Sequence, residues 1–194
     1  DAGDARTGAG VRVMLVNLPW HRGRAWGVRA GSRWPHIRGP QERDYLPFPF
    51  FLSYASALLI REGIEVALVD AIAEELPEGP FLDRVRHWQP DLLVAEVSTP
   101  SLAHDLALLQ RLPKELPVVL CGPDANIRDP KVLTQYPQIR YVLQGEYEIT
   151  LLELVRSLER SMSSPLAQIL GLMYRQNGSF ELNLPRPLLP NLDD

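Results

Sequence analysis

Five short apolar runs recur along the chain, and segments with helical spacing of apolar residues separate them. The runs are rich in Val, Ile and Leu, which predicts strands buried on both faces. The predicted strands are Val11–Leu18, Ile64–Val69, Asp91–Val97, Val118–Leu120 and Ile139–Leu143. The predicted helices are Phe50–Glu62, Pro80–Gln89, Ser101 to about Leu112, a short one from Asp129, and Thr150 to about Arg160. This alternation predicts an α/β fold with a doubly wound, five-stranded, mainly parallel sheet in the flavodoxin-like order 2-1-3-4-5.

A small C-terminal β-hairpin appendage is predicted beyond the last helix. Asn177-Gly178 is typical of a type I′ turn and lies between the short runs 172–174 and 180–182. The pattern divides the chain into a disordered or processing-derived tail over 1–10, a Rossmann-like domain over 11–160, and a linker with the hairpin over 161–194. We expect the natural protein to continue beyond Asp194, because the Pro-rich end has no closing element.

Four loops are predicted to meet at one edge of this sheet, because the carboxyl ends of parallel strands lie together. Glycine in such a loop lets main chain approach a ligand closely. The loops are Asn17-Leu18-Pro19, Ser98-Thr99-Pro100-Ser101, Cys121-Gly122-Pro123-Asp124 and Gly145-Glu146. A broad ligand lying across the top of the sheet would use them together. The plainer interpretation, that Gly and Pro simply end strands, remains open for each loop taken singly.

A loop rich in Arg and Trp, from Trp20 to Arg38, follows the first strand. Interleaved Arg and aromatic side chains suit a nucleic-acid stacking groove, a large anionic or conjugated cofactor, or a solvated surface. The net charge of −4 argues against a general nucleic-acid binder. No apolar run reaches the ~20 residues that cross a bilayer and no signal peptide is visible, so we expect a cytoplasmic protein.

Several familiar kinds of site are excluded by the sequence. The single cysteine, Cys121, rules out a disulfide framework and a multi-cysteine metal site. Neither a phosphate-binding G-x-x-x-x-G-K-[ST] loop nor a G-x-G-x-x-G loop after the first strand is present. The four histidines form no pattern typical of metal ligands, and Glu146 and Glu148 are explained by the start of a helix. We therefore predict no catalytic residue and no protein metal ligand.

Several segments together resemble the N-terminal cobalamin-binding domain of cobalamin-dependent radical S-adenosylmethionine enzymes. The resemblance covers nearly all of residues 11–194. The segments that carry it are Asn17-Leu18-Pro19, residues 29–35, Pro47-Phe48-Pro49-Phe50, residues 118–125, residues 141–150 with Gly145-Glu146-Tyr147-Glu148-Ile149-Thr150, and the tail 187–194.

The resemblance implies a corrinoid above the carboxyl edge of the sheet, with its nucleotide tail running down between the sheet and a helix. Ser98, Thr99 and Ser101 would contact the tail or the corrin amides. Cys121 and Gly122 match a Gly-Gly position that makes room for the tail, and Cys121 departs from its first glycine. The implied cofactor-binding residues are Asn17, Leu18, Pro19, Ser98, Thr99, Pro100, Ser101, Cys121, Gly122, Pro123, Gly145 and Glu146.

Two absences refine this expectation. The Asp-x-His-x-x-Gly motif that supplies a cobalt ligand in mutases and methionine synthases does not fit Asn17 to Gly23, so we expect base-off cobalamin without a histidine ligand. One cysteine cannot hold a [4Fe–4S] cluster. S-adenosylmethionine and the cluster are therefore expected only in a C-terminal radical domain, which would be the partner of this one. We expect the intact protein to catalyse a methyltransferase-type reaction. The alternative is a cofactor-free flavodoxin-like signalling or interaction domain. A receiver domain of that kind would need acidic residues after the first strand and an Asp after the third, where this chain has Asn17 and Ser98.

Overall fold

The fold is a single mixed sheet with helices on both faces. The computed structural model describes residues 10–22, 25–27, 47–122, 127, 129–159 and 165–187. Its strands are β1 (Arg12–Asn17), β2 (His21–Arg22), β3 (Ala25–Trp26), β4 (Glu65–Asp70), β5 (Leu92–Glu96), β6 (Val118–Cys121), β7 (Ile139–Leu143), β8 (Leu172–Gln176) and β9 (Ser179–Leu182). The helices are α1 (Phe50–Arg61), α2 (Glu78–Trp88), α3 (Leu102–Leu109), α4 (Pro130–Leu133) and α5 (Glu148–Glu159).

The strand order is β4-β1-β5-β6-β7-β8-β9. The first five of these are parallel to one another and lie in the order predicted from the sequence. β1 is central, and its residues from Val13 to Asn17 are all buried. β2 and β3 pair separately from the main sheet in a two-stranded antiparallel ladder.

The prediction of a five-stranded sheet with a separate hairpin was wrong. β8 pairs with β7 in antiparallel orientation, with Tyr141 opposite Tyr174, so the sheet has seven strands of mixed direction. The predicted turn is present, with positive φ at Asn177 and Gly178. The hairpin joins the sheet because β7 would otherwise expose a row of unpaired backbone groups, and the buried start of β8 covers them.

The alternation of side chains along β1 divides the core into two halves. Val13 and Leu15 pack with α1 and α5, whereas Met14 and Val16 pack with α2 and α3. All four side chains are almost fully buried, which places β1 at the centre of both halves. We refer to these halves as the α1/α5 face and the α2/α3 face.

Arg12 closes the amino edge of the sheet, where β1 begins. Its Nη1 donates to the Trp88 carbonyl at 2.6 Å and its Nε donates to Glu65 at 2.9 Å. Its guanidinium lies 4.2 Å from the ring centroid of Trp88, and its backbone N–H donates to the Asp91 carboxylate. One side chain thus ties the starts of β1 and β4 to the end of α2. Within the described residues, no helix has the length and apolar character needed to span a membrane.

Candidate functional site

The last residues of the central strands form a polar row at the carboxyl edge. Asn17 lies in register with Asp70 on one side and Glu96 on the other, and Glu96 lies in register with Cys121. Asn17, Glu96 and Cys121 are all buried on the α1/α5 face. The sequence analysis identified Asn17 and Cys121 but missed Glu96, because it read this residue as part of an apolar strand.

Tyr147 caps this row from the loop before α5. It is 3% exposed, and its hydroxyl donates to Glu96 Oε1 at 3.2 Å. Burial raises the pKa of Tyr147, and the nearby Cys121 and Glu96 raise it further. A buried carboxylate therefore has a neutral hydroxyl donor beside it. Sequence reasoning had no signal for this pair, because 51 positions separate the two residues.

The Cys121 thiol belongs to the packed interior. It is fully buried, and its Sγ donates to the Ala95 carbonyl at 3.6 Å. Burial, with Glu96 as the next cause, raises the pKa of Cys121 well above its usual value. The thiol is therefore held protonated and is unsuited to act as a nucleophile or as a thiolate ligand.

Gly122 lies where the chain leaves β6 and crosses against the end of β5. Its φ is +127°, and a Cβ at this position would overlap the Val97 carbonyl oxygen. Glycine is therefore required here by contact between two main-chain segments. The next predicted site residue, Pro123, lies outside the described residues.

Gly145 marks an open part of the same edge. No described residue lies within 4 Å of the place a Cβ would occupy, and Gly145 is exposed. Glu146 beside it is half-buried, as is Glu148 at the start of α5. Burial raises the pKa of Glu148 from its usual value. The chain thus leaves free space directly above the end of β7.

Ser98 and Ser101 bracket a tight turn between β5 and α3. Their hydroxyl oxygens lie 3.0 Å apart, and the amides of Ser101 and Leu102 both donate to the Ser98 carbonyl. Both serines are buried, whereas Thr99 and Pro100 between them are exposed. The turn therefore presents Thr99 and Pro100 at the edge, while the hydroxyl groups of the two serines bond to each other within it. Whether the serines also contact a ligand, as the sequence analysis predicts, stays a prediction.

Asp105 completes the serine scaffold from the first turn of α3. The Ser101 hydroxyl donates to Asp105 Oδ2 at 2.5 Å. Burial raises the pKa of Asp105 to about 7, against a smaller opposing effect of the Ser101 hydrogen bond. The sequence analysis missed this residue, because an acidic side chain near a helix start is usual. The signal was its place four positions after Ser101, one helical turn away.

Two buried amide nitrogens at this edge have no hydrogen-bond partner within the described part of the chain, Asn17 Nδ2 and Gln144 Nε2. Asn17 ends β1, and Gln144 follows directly on β7. Unsatisfied buried donors are rare and costly, so each calls for an acceptor that a bound group could supply. Gln144 lay inside a segment of the family resemblance but was not among the predicted site residues.

The chain after β1 is held against α3. Leu18 and Pro19 are buried, and the Pro19 carbonyl lies 3.1 Å from His104 Nε2. The same nitrogen lies 3.6 Å from Glu78 of α2. Of the other histidines, His21 and His87 are exposed, and His36 lies outside the described residues. Residues 23–24 and 28–38 of the Arg- and Trp-rich loop also lie outside them.

An exposed aromatic cluster lies at the start of α1. Phe48, Phe50 and Tyr54 are each more than half exposed, and the Phe48 and Phe50 rings are 5.1 Å apart. Because α1 ends where β4 begins, its start lies at the carboxyl edge. Contiguous exposed apolar side chains of this kind are typical of interaction surfaces.

Comparisons with solved structures show which proteins share this architecture. The cobalamin-dependent S-adenosylmethionine radical enzyme OxsB, solved with aqua-cobalamin and S-adenosylmethionine, matches 92% of this chain and 23% of its own, with a TM-score of 0.68 and 17% identity. The chain has the fold found in cobalamin-dependent radical S-adenosylmethionine enzymes. The radical methyltransferase TsrM from Kitasatospora setae, solved with tryptophan and a cofactor analogue, covers 91% of this chain and 30% of its own, with a TM-score of 0.63 and 17% identity. The resemblance predicted from the sequence is confirmed.

Curated relatives agree with this assignment. An uncharacterized methyltransferase of Pyrococcus horikoshii is 31% identical over 75% of this chain and 32% of its own length. An anaerobic magnesium-protoporphyrin IX monomethyl ester cyclase of Synechocystis is 30% identical over 94% of this chain and 34% of its own. The chain thus spans about a third of the length of these relatives. No protein-family model matches the sequence.

Proposed function

We propose that this chain binds cobalamin at the carboxyl edge of its sheet. The observation that carries the proposal is a pair of buried amide nitrogens, Asn17 Nδ2 and Gln144 Nε2, that have no partner among the described residues, with open space at Gly145 next to Gln144. Cobalamin fits these donors, because its peripheral amides and its phosphate offer many acceptor oxygens. The solved relatives OxsB and TsrM were both observed with cobalamin.

The spacing of the two donors favours a broad ligand over a small one. Their strands, β1 and β7, are separated by β5 and β6, which is three steps across the sheet. At the usual inter-strand distance this amounts to roughly 14 Å. A single phosphate or a small metabolite would satisfy only one of the donors, whereas a corrin with its side chains could satisfy both.

We propose that Thr99, Pro100, Gly145 and Glu146 contact the bound group, and that Ser98, Ser101, Cys121 and Gly122 shape the main chain beneath it. Leu18 and Pro19 would position the end of β1, and Pro123 would extend the same edge. This division follows exposure, since the first group is open or half-buried and the serines and Cys121 are buried.

We further propose that the cobalt receives no histidine from this chain. After β1 the chain continues through Leu18, Pro19 and Trp20, and the first histidine reached, His21, is exposed and paired across a separate ladder. His104 is engaged by the Pro19 carbonyl and Glu78. The protein would therefore hold cobalamin through its periphery and its tail.

In the longer protein, we infer that this chain supplies one cofactor of a methyltransferase-type reaction. Cobalamin supplies group transfer at cobalt when bound. S-adenosylmethionine and a [4Fe–4S] cluster would bind in the remaining two thirds of the length seen in the relatives, because one buried cysteine cannot hold a cluster. The exposed aromatic cluster at the start of α1 is the surface we expect that remainder to cover.

Retention of cobalamin tests the proposal directly. Purified protein is mixed with hydroxocobalamin and desalted, and the visible absorbance that stays with the protein is measured. We expect near-stoichiometric retention by the wild type and by the exposed control Glu115→Gln, and clear loss in the double variant Asn17→Leu/Gln144→Met. A colourless wild-type protein would overturn the proposal and favour a cofactor-free interaction domain.

Electron paramagnetic resonance tests the absence of a histidine ligand. The protein is loaded with Co(II) cobalamin and its spectrum is recorded. We expect a base-off signal without nitrogen superhyperfine splitting. Splitting from one axial nitrogen that persists in each of His21→Ala, His36→Ala, His87→Ala and His104→Ala would point to the cofactor's own base, and splitting lost in any one of them would identify a protein ligand and contradict the proposal.

A further inference from the structure

We propose that Asp105 is a positioning residue that holds residues 98–101 in the conformation that presents Thr99 to the bound group. This inference rests on the proposed cobalamin site and assigns a role to a residue that makes no contact with the ligand. The carboxylate acts through Ser101, and Ser101 acts through Ser98.

The direction of the hydrogen bonds follows from the chemistry of the three side chains. An ionised Asp105 can only accept, so the Ser101 hydroxyl proton is committed to it at 2.5 Å. The Ser101 oxygen is then left to accept from the Ser98 hydroxyl at 3.0 Å and from the Ser98 backbone N–H at 3.4 Å. The chain of donors therefore runs in one direction, from Ser98 through Ser101 to Asp105.

Protonation of Asp105 removes that order. A neutral carboxyl can donate to Ser101, whose own proton can then turn to the Ser98 carbonyl 3.3 Å away. Several arrangements become available where one existed, and the charge-assisted bond that fixed the turn is lost. Thr99 would then be presented less uniformly, and affinity for the bound group would fall.

Among the residues that the structure describes, no charged side chain contributes to the shift in the pKa of Asp105, so this carboxyl can act as a proton-sensitive element. Glu78 of α2 is engaged with Arg111 and His104. Glu96 of β5 is bonded to Tyr147 and lies on the α1/α5 face, whereas Asp105 lies near the α2/α3 face. Burial and the Ser101 hydrogen bond are the causes that set the pKa of Asp105, at about 7.

The test is the pH dependence of cobalamin affinity in wild type and in Asp105→Asn. Binding of cyanocobalamin is titrated between pH 5.5 and 8.5. We expect the wild-type affinity to rise several-fold with a midpoint near pH 7, the pKa to which burial raises Asp105. The Asp105→Asn profile should be flat, close to the low-pH affinity of the wild type. Ionisation of the ligand itself would affect wild type and Asp105→Asn alike, so the profile of the variant is the baseline for the contribution of Asp105.

Controls separate this inference from the proposed function and from simple structural damage. Glu115→Gln, an exposed carboxylate at the amino edge, should keep the wild-type profile. Wild type that binds cobalamin with the same pH profile as Asp105→Asn would overturn the positioning role while leaving cobalamin binding intact; wild type that binds none would overturn the function itself.

A measurement on the wild type alone covers the case in which Asp105→Asn fails to fold. The amide chemical shift of Thr99 is followed by NMR across the same pH range without ligand. A shift with a midpoint near 7 supports coupling between the carboxyl and the turn. A Thr99 amide that does not respond, while the protein stays folded, contradicts it.

Discussion

The two edges of the sheet are built in opposite ways. At the amino edge, Arg12 spreads its donors over Trp88 and Glu65, and its ring contact with Trp88 completes the closure. At the carboxyl edge, the side chains of Asn17 and Gln144 bury donors that have no partner among the residues that the structure describes, and Asp105 is a buried acid. One edge satisfies its polar groups internally and stabilises the fold. The other leaves the two amide nitrogens unsatisfied within the described residues, at a cost to the free protein.

Gly122→Ala should produce the largest effect, because it damages the scaffold of the carboxyl edge. The new methyl group would overlap the Val97 carbonyl in a backbone conformation that L-residues rarely adopt. We expect a loss of about 3 kcal/mol or more in the free energy of unfolding, measured by urea denaturation. Gly178→Ala, at a positive φ in the open hairpin turn, should cost only about 1 kcal/mol. Equal costs would contradict the role of close main-chain contact.

The second-largest effect should be a pH dependence of stability that comes from Asp105 at the carboxyl edge. Burial raises the pKa of Asp105 in the folded state from 3.8 to about 7. The stability that depends on its protonated form is therefore fully present below about pH 4 and is lost as the pH rises through about 7. Asp105→Asn should therefore remove roughly 2 to 3 kcal/mol of the decrease in stability between pH 5 and pH 8. Urea denaturation at a series of pH values measures this. An unchanged slope in the variant would mean that Asp105 titrates normally.

Arg12→Met should weaken the amino edge without affecting ligand binding. We expect a loss of about 2 kcal/mol in unfolding free energy, because the Trp88 carbonyl and Glu65 lose a shared donor. Arg86→Met, which removes an exposed ion pair with Asp83, should change it by less than about 0.5 kcal/mol. Cobalamin affinity should be the same in both variants. A tenfold loss of cobalamin affinity in Arg12→Met would contradict the claim that the amino edge only stabilises the fold.

Gln144→Met should have the smallest effect on stability and a clear effect on binding. Because the Gln144 donor has no partner among the described residues, removing it breaks none of the hydrogen bonds seen there, and the free energy of unfolding should stay within about 1 kcal/mol or rise. Affinity for cobalamin should fall about tenfold, since one hydrogen bond is worth roughly 1.4 kcal/mol. Isothermal titration calorimetry measures this. A large destabilisation without loss of affinity would show that Gln144 serves the fold.

The sequence was sufficient for the parallel part of the fold and for the family resemblance. Alternating apolar runs and helices constrain the order of five parallel strands strongly, because crossover connections follow one hand. The place of the hairpin was not predictable, because a strand's own pattern does not say which edge it will pair with. β8 instead continues the sheet beyond β7.

Some features of the candidate site were also predictable from the sequence, and others were not. Local chemistry predicted the loops of Ser98, Gly122 and Gly145, because glycine and hydroxyl residues after a strand are visible in sequence. The Tyr147–Glu96 pair and the link from Ser101 to Asp105 depend on burial and on contacts across the fold. Ser98 and Ser101 are buried and bonded to each other, because hydroxyl groups serve a tight turn as readily as a ligand, and the prediction that they contact a ligand stays a prediction. The domain boundaries at 10 and 160 remain predictions.

Hydrogen exchange with and without hydroxocobalamin tests the central claim most directly, that the carboxyl edge binds and the amino edge only stabilises. Exchange is followed by mass spectrometry on the folded protein at saturating ligand. The account predicts slower exchange in residues 98–101 and 144–147, with residues 88–91 and 113–117 unchanged. Protection confined to the amino edge, or equal at both edges, would contradict it.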